Sequence, residues 1–173
     1  IASYCIFELN DYMSAFSILK NCEKLGSKDG QSLVQLMLLE AKKSNLAKAM
    51  MLEAQGKYQD AIDAYFDCIE NGKIDFNALG RLGRVLAVFG ENNEVRKEGL
   101  KMMENAASFG DHFSAFHLGY IYYKKASDDK QDIDTNIKKA IECFNMADNF
   151  SDIDLMLFKC YNMINDKKNK RQY

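Results

Sequence analysis

The stretch Ala78–Gly83, with the sequence ALGRLG, has a counterpart 36 residues later in Ser114–Gly119, with the sequence SAFHLG. Both stretches end in the step Leu-Gly. A recurrence at this spacing is typical of helical repeat arrays, because one small helical hairpin cannot bury its apolar face alone and must stack on its neighbours. The period therefore predicts an all-α chain, and it directs the search for function towards a surface.

The composition fits a globular chain that is helical throughout. Of the 173 residues, 47% are hydrophobic and 28% are charged, and the absence of proline leaves few breaks in a helical pattern. The net charge of −2 gives no overall field that would attract DNA or RNA. Apolar runs such as Leu36–Leu39 are far shorter than the roughly 20 residues of a membrane span. We therefore expect neither nucleic-acid binding nor direct membrane insertion.

The segment 45–71 has the pattern of two antiparallel helices. Apolar and small residues recur at helical spacing on both sides of Gly56, from Leu46 to Glu70. Glycine ends a helix in the left-handed conformation at little steric cost, so the turn is predicted at Gly56 and Lys57.

The order of residues after this turn resembles the second half of a tetratricopeptide repeat. Small residues in that order let neighbouring helices approach closely, and tyrosines fill the gaps between them. The resemblance implies a stack of helical hairpins. The matching residues are Gly56, Tyr58, Ala61, Tyr65 and Cys68.

A weaker copy of the same pattern predicts a first unit at about 1–25. In this copy Asn10 takes the place of the turn glycine, since asparagine tolerates the left-handed conformation better than most residues. Tyr12 lies 46 residues before Tyr58, although the period of this family is roughly 34 residues. The spacing therefore predicts additional structure between the two units.

The additional residues predict a loop at Gly26–Gly30 and an extra helix at about 31–43. Two arrangements of the following residues stay open. Either one helix runs from 31 to 55, or the chain breaks near Ser44 and Asn45.

Two further units, at about 75–110 and 112–148, resemble the Sel-one-like repeat, a longer relative of the tetratricopeptide unit. That repeat places alanine, Leu-Gly and tyrosine in its first helix and alanines in its second. The structural repeat positions that match are Ala78, Leu82, Gly83, Ala106, Ala107, Leu118, Gly119, Tyr122, Ala140 and Ala147.

A terminal helix is predicted at about 152–165. It keeps the Leu-to-Tyr spacing of the repeat at Leu157 and Tyr161, but Phe158 stands in the glycine position. Together the resemblances imply a right-handed superhelical solenoid of antiparallel helix pairs over residues 1–173. Because the chain begins with Ile1 and has no obvious polar cap, we expect it to be a segment of a larger protein.

The five cysteines show no metal-binding pattern. They are odd in number, lack a C-x-x-C pair and lie in apolar helical stretches, which favours reduced thiols in a core and a cytoplasmic location. The pairs Cys5/Cys22 and Cys143/Cys160 are both 17 residues apart, so disulfides and an oxidising lumen stay open as the alternative. The fifth cysteine is Cys68.

The sequence lacks the equipment of a catalytic or metal site. It contains no nucleotide-binding, zinc-protease, hydrolase or zinc-ribbon motif. The only histidines, His112 and His117, are five positions apart and would lie on different faces of one helix. The acidic stretch 128–134 lacks the mid-loop glycine and the closing glutamate of a calcium-binding hand. We therefore expect no catalytic residue, metal or cofactor.

The surface around the Leu-Gly steps is the predicted binding site. In stacked helical hairpins the first helix of each pair lines the concave face. Arginine pairs bidentately with carboxylate and tyrosine gives rigid contact area, so an acidic or C-terminal peptide is the expected ligand. The alternative is that the arginines are merely solvated and Tyr120 packs between repeats. The predicted partner-binding residues are Asn77, Arg81, Arg84, His117, Tyr120 and Lys124.

The sequence thus predicts a non-catalytic scaffold or adaptor that binds another protein or peptide within a larger complex. Two alternatives stay open. In the first, the repeats are the docking or regulatory region of an enzyme whose catalytic domain lies elsewhere. In the second, they are an RNA-binding helical repeat, which the acidic balance disfavours.

Overall fold

The structure of the protein is a computed structural model that describes residues 12–70, 75–128, 132–148, 150 and 152–170. The chain divides into two compact units, Ile1–Ala78 and Leu79–Tyr173. The described residues form helices and no strands, which confirms the predicted all-α fold. The helices are α1 (Tyr12–Lys24), α2 (Lys28–Glu40), α3 (Asn45–Ala54), α4 (Tyr58–Glu70), α5 (Phe76–Phe89), α6 (Asn93–Ser108), α7 (His112–Asp128), α8 (Ile133–Met146) and α9 (Ile153–Lys170).

Glycine turns join three pairs of successive helices. Gly56 has a φ of 75°, and the N–H groups of Gly56 and Lys57 donate to carbonyls in the last turn of α3 at 2.9 and 3.0 Å. These bonds satisfy carbonyl groups that the end of a helix leaves open. Gly26 and Gly110 adopt the same left-handed conformation, with φ values of 80° and 89°. The turn predicted at Gly56 is confirmed.

Serine caps set the helix boundaries between the first two predicted units. Ser27 and Ser44 each accept a hydrogen bond from the backbone N–H three residues later, at 3.1 and 3.0 Å. Such caps begin a helix by satisfying one of its free donors. The residues 31–55 therefore belong to two helices, because Ser44 begins α3. The loop predicted at 26–30 is shorter than expected, and the extra helix lies three residues earlier than 31–43.

The core of the first unit is built around a buried tyrosine–glutamate pair. The Tyr65 hydroxyl donates a hydrogen bond of 2.5 Å to Glu53 Oε2, and neither side chain is more than 1% exposed. This bond offsets the cost of burying a carboxylate. Helix α1 packs on α2 and α3, and α3 packs on α4. Ala61 on α4 is fully buried, whereas Tyr58 is partly exposed. The turn predicted at Asn10 and the possible pairing of Cys5 lie outside the described residues.

In the second unit α7 packs on α6 and α8, and α9 packs on α8 and α7. Helices α7 and α8 are antiparallel, since the His112 ring at the start of α7 meets the Met146 carbonyl at the end of α8. The terminal helix is longer than the predicted 152–165. Repeat positions that are at most 7% exposed here are Leu82, Ala106, Ala107, Leu118, Tyr122, Ala140 and Ala147.

The two Leu-Gly steps permit close helix approach in successive hairpins. A Cβ on Gly83 would lie 2.7 Å from the Gly99 carbonyl oxygen and 2.9 Å from Met103 Cγ. A Cβ on Gly119 would lie 2.7 Å from the ring of Phe144. At either position a side chain would require its neighbours to move, so the same register produces close packing in both hairpins.

Candidate functional site

A groove runs across α5, α7 and the start of α9 within the second unit. It consists of two adjoining hollows of about 420 and 490 Å³ that share Val88, Tyr120 and Ile121. We call this surface the α7 groove. Its remaining lining residues are Arg84, Phe116, His117, Lys124, Lys125, Asp128, Asp152 and Met156.

Helical spacing places the groove residues of α7 on one face. His117, Tyr120, Ile121 and Lys124 follow one another at intervals of three, one and three residues, and such positions are neighbours on a helix surface. Leu118 and Gly119 point the other way and are buried. One helix therefore supplies both the core contact and the groove wall.

Aromatic rings form the wall of the groove beside His117. The ring centroids of His117 lie 4.3 Å from Phe113 and 5.5 Å from Phe116. Phe116 in turn stacks on Phe150, with centroids 4.4 Å apart and planes 6° from parallel. This stack holds Phe150 against α7 and gives the groove a rigid apolar side.

Arg81 does not have the exposed position expected for it. Its side chain is only 8% exposed, and its guanidinium carbon lies 4.1 Å from the centroid of the Phe113 ring. A guanidinium stacks on an aromatic face because the ring quadrupole attracts the cation. Arg81 thus forms part of the wall behind the groove, and its predicted contact with a partner must be indirect.

The charge state of His117 follows from its burial and from the charges of Arg84 and Arg81. Burial lowers the pKa of His117 to about 3, with the charges of Arg84 and Arg81 contributing in the same direction. The imidazole is therefore neutral at physiological pH. Burial also lowers the pKa of Arg84. The groove offers a neutral histidine that can donate or accept a hydrogen bond, next to a partly buried guanidinium.

The structure brings together four of the six predicted binding residues. Arg84, His117, Tyr120 and Lys124 all line the α7 groove. Tyr120 is 43% exposed and lines both hollows beside Val88. Asn77 lies in the first unit and does not line the groove. Its backbone N–H donates a hydrogen bond of 2.9 Å to Asp75 Oδ1 at the start of α5.

Sequence reasoning missed the apolar floor of the groove. Val88 lies four residues after Arg84, and Phe116 and Ile121 lie four residues before and one after Tyr120. A search for apolar residues at helical spacing from the predicted arginine would have found Val88. No comparable signal points to Met156 on α9, because its place depends on how α9 packs against α7.

The other chemistry-bearing residues do not assemble a site in the described part of the chain. No group of three or more His, Cys, Asp or Glu side chains lies close enough there to hold a metal ion, and Asp129 of the acidic stretch is not described. Cys143 and Cys160 are separate free thiols, and burial raises the pKa of each to about 11. These thiols are protonated at neutral pH. None of the described helices combines the length and apolar character that crossing a bilayer demands.

Comparisons with protein-family models, with curated proteins and with solved structures found no match. The class of protein is therefore defined by its geometry, as an all-helical chain in which neighbouring helices pack together. The function must be argued from the α7 groove.

Proposed function

We propose that this chain is a non-catalytic, Sel-one-like helical-repeat scaffold that binds another protein, and that the α7 groove holds an extended segment of that partner. The segment carries acidic side chains next to apolar ones. In this proposal the first helices of successive hairpins form a right-handed superhelical binding surface, as in tetratricopeptide arrays.

The observation that carries the proposal is the convergence of four residues on one groove. Repeat register alone predicts a binding role for these residues, and they line adjoining hollows whose floor is apolar. They are Arg84, His117, Tyr120 and Lys124. Recognition sites typically combine an apolar floor with a few polar groups that fix orientation. Tyr120 stands between the two hollows and offers rigid contact area to a ligand that spans both.

The charges of the groove favour an acidic segment. Arg84, Lys124 and Lys125 supply three cations, whereas Asp128 and Asp152 supply two anions. Lys124 and Lys125 are exposed, so a carboxylate can reach them without displacing core side chains. Charge pairing of this kind adds specificity and speeds association more than it adds raw affinity.

The test uses two blocked synthetic peptides and the full chain. One peptide alternates glutamate with leucine, and the other replaces each glutamate by glutamine. We expect the glutamate peptide to bind at least about tenfold more tightly at low salt, measured by fluorescence anisotropy. Tyr120→Ala should weaken binding of both peptides, because both use its ring.

A matched pair of charge reversals locates the effect. Lys124 lines the groove, whereas Lys138 is an exposed residue of α8 outside it, and each is changed to glutamate. The first variant should abolish the preference for the glutamate peptide and the second should retain it, with unchanged circular dichroism in both. Equal affinity for the two peptides, or equal effects of the two reversals, would contradict the proposal.

A further inference from the structure

Helix α9 exposes the face with which the preceding first helix meets its hairpin partner. Phe158 lies 39 residues after Gly119 and one residue after a leucine, so it holds the same repeat position. In α7 this position faces α8, where Gly119 lies against the Phe144 ring. The repeat register therefore identifies what kind of element fits on the same side of α9, namely a helix.

Burial in α9 agrees with this register. Met156 and Cys160, two positions on either side of Phe158, are 5% and 0% exposed and lie in the core of the second unit. Positions two residues apart project from nearly opposite sides of a helix. Phe158 accordingly faces away from the core and is 62% exposed.

Two more large side chains extend this exposed side. Leu155 and Tyr161, each three residues from Phe158, are 51% and 50% exposed. Residues three apart are neighbours on a helix surface, so the three side chains form one patch. We call Asp154, Leu155, Phe158 and Tyr161 the Phe158 face.

The contact that this face can make is the reverse of the one in α7. There a glycine on the first helix receives a phenylalanine from the second helix. In α9 the phenylalanine is on the first helix, so a helix that packs here must bring the small residue. A second aromatic ring opposite Phe158 would hold the two helices apart and leave voids beside it.

Charge adds a second requirement. Asp154 occupies the position of Ala115, which is 1% exposed in the packed hairpin, and Asp154 is exposed. Covering this carboxylate without a cation would be costly. In the antiparallel arrangement seen for α7 and α8, the residue opposite Asp154 lies one turn C-terminal to the residue opposite Phe158.

We propose that the Phe158 face is a second interaction surface, and that its occupant is an amphipathic helix of a partner protein with alanine or glycine opposite Phe158 and lysine or arginine one turn later. This surface lies on the side of α9 away from Met156, which lines the α7 groove. The two surfaces can therefore act independently.

The test uses three peptides built on residues 132–148, the sequence that already packs on α7. The small-basic peptide carries Phe144→Ala and Ala147→Lys, the large-basic peptide carries only Ala147→Lys, and the small-acidic peptide carries Phe144→Ala and Ala147→Glu. A lactam bridge on the solvent side keeps each peptide helical, because isolated helices of this length are marginal in water. Binding to the full chain is measured by fluorescence anisotropy.

We expect the small-basic peptide to bind the unmodified chain about tenfold more tightly than either of the others. The variant Phe158→Ala should prefer the large-basic peptide, because it restores the small-against-large contact of α7. The variant Asp154→Lys should prefer the small-acidic peptide. Lys159→Ala, an exposed position of α9 to the side of the face, should leave all three affinities within about twofold.

Three results would overturn the proposal. The first is that none of the peptides binds. The second is that the three peptides bind alike, or that Phe158→Ala and Lys159→Ala have the same effect. The third is a dimer of the unmodified chain, measured by light scattering, that Phe158→Ala converts to monomer, since the occupant would then be a second copy of this chain.

Discussion

Helices α5 and α7 carry the same repeat register 36 residues apart, yet they use it for different contacts. Gly83 on α5 packs against the main chain of α6 at Gly99, whereas Gly119 on α7 packs against the ring of Phe144. Two residues before each glycine, Arg81 is a stacked cation and His117 is a neutral imidazole. The register thus decides where helices meet, and the side chains decide what kind of contact forms.

This difference explains how one surface acquires both a wall and a binding groove. Arg81 reaches the next first helix at Phe113, whereas the charges nearest to His117 are those of Arg84 and Arg81 on the preceding first helix. From α5 this repeat position supplies a guanidinium that covers Phe113, and from α7 it supplies a ring that lines the groove. A repeat that kept the same residue at both positions would place two cations side by side in a partly buried site, which is unfavourable.

The largest expected effect is the pH dependence that His117 introduces at this position. Its folded pKa of about 3 lies below the 6.5 of an unfolded chain, so the unfolded state takes up a proton first as the pH falls. The stabilisation is complete above pH 6.5 and is lost towards pH 3. Between pH 7 and 4.5 the free energy of unfolding should fall by about 2 to 3 kcal/mol from this group alone.

The matched variant for this prediction is His117→Gln, which keeps a polar side chain but cannot titrate. Urea denaturation at both pH values gives the free energies, and carboxylates contribute to both proteins alike. The unmodified chain should lose more stability on acidification than the variant does. Parallel pH profiles for the two proteins would show that the imidazole is already protonated or solvated in the folded state.

The next prediction compares the two glycines directly. Gly83→Ala should lower the free energy of unfolding by about 2 kcal/mol, because the new Cβ meets main-chain atoms that move only with the whole of α6. Gly119→Ala should cost about 1 kcal/mol, since the Phe144 ring can tilt. Both values include the better helix propensity of alanine. Chemical denaturation followed by circular dichroism tests the order, and a larger loss for Gly119→Ala would reverse the comparison.

Much of the fold, and part of the site, could be predicted from local sequence. The turn at Gly56 follows from the conformation that glycine favours at a helix end. Periodicity leaves the break near Ser44 open, and the Ser44 cap decides it. Gly83 and Gly119 of the two Leu-Gly steps lie at close helix contacts, which the absence of a side chain allows. The helix predicted at 31–43 begins three residues earlier than expected, because Ser27 caps it at Lys28.

The burial of Arg81 could not be predicted in the same way. Repeat register gives the direction of a side chain, but it does not show that the next helix presents a phenylalanine ring at stacking distance. The contribution of α9 to the groove, through Met156, likewise depends on tertiary packing. Both misses concern contacts between successive hairpins rather than contacts within one.

A third prediction tests whether the stacked cation of α5 is structural. Arg81→Ala should lower the free energy of unfolding by about 1 to 2 kcal/mol, because it removes a desolvated cation–π contact and its packing. Arg81→Lys should recover only part of the loss, since an ammonium group lacks the planar stacking surface. Lys124→Ala, at an exposed groove position, is the control and should change stability very little. If the Arg81→Ala protein were as stable as this control, the contact between Arg81 and Phe113 would contribute nothing to stability, as expected for a solvated arginine.

The smallest effect concerns the position where α5 has Leu86 and α7 has Tyr122. The Tyr122 hydroxyl donates a hydrogen bond of 2.7 Å to Glu104 Oε1 on α6, and burial, together with Glu104, raises the pKa of Tyr122. Tyr122→Phe keeps the ring and removes only this bond, so it should cost about 0.5 to 1 kcal/mol. Because Glu104 is exposed and can be hydrated, the double variant with Glu104→Gln should cost little more. Thermal and urea denaturation measure the losses. If the losses of the two single variants add up in the double variant, the two side chains contribute separately, and the hydrogen bond between them does not stabilise the contact of α7 with α6.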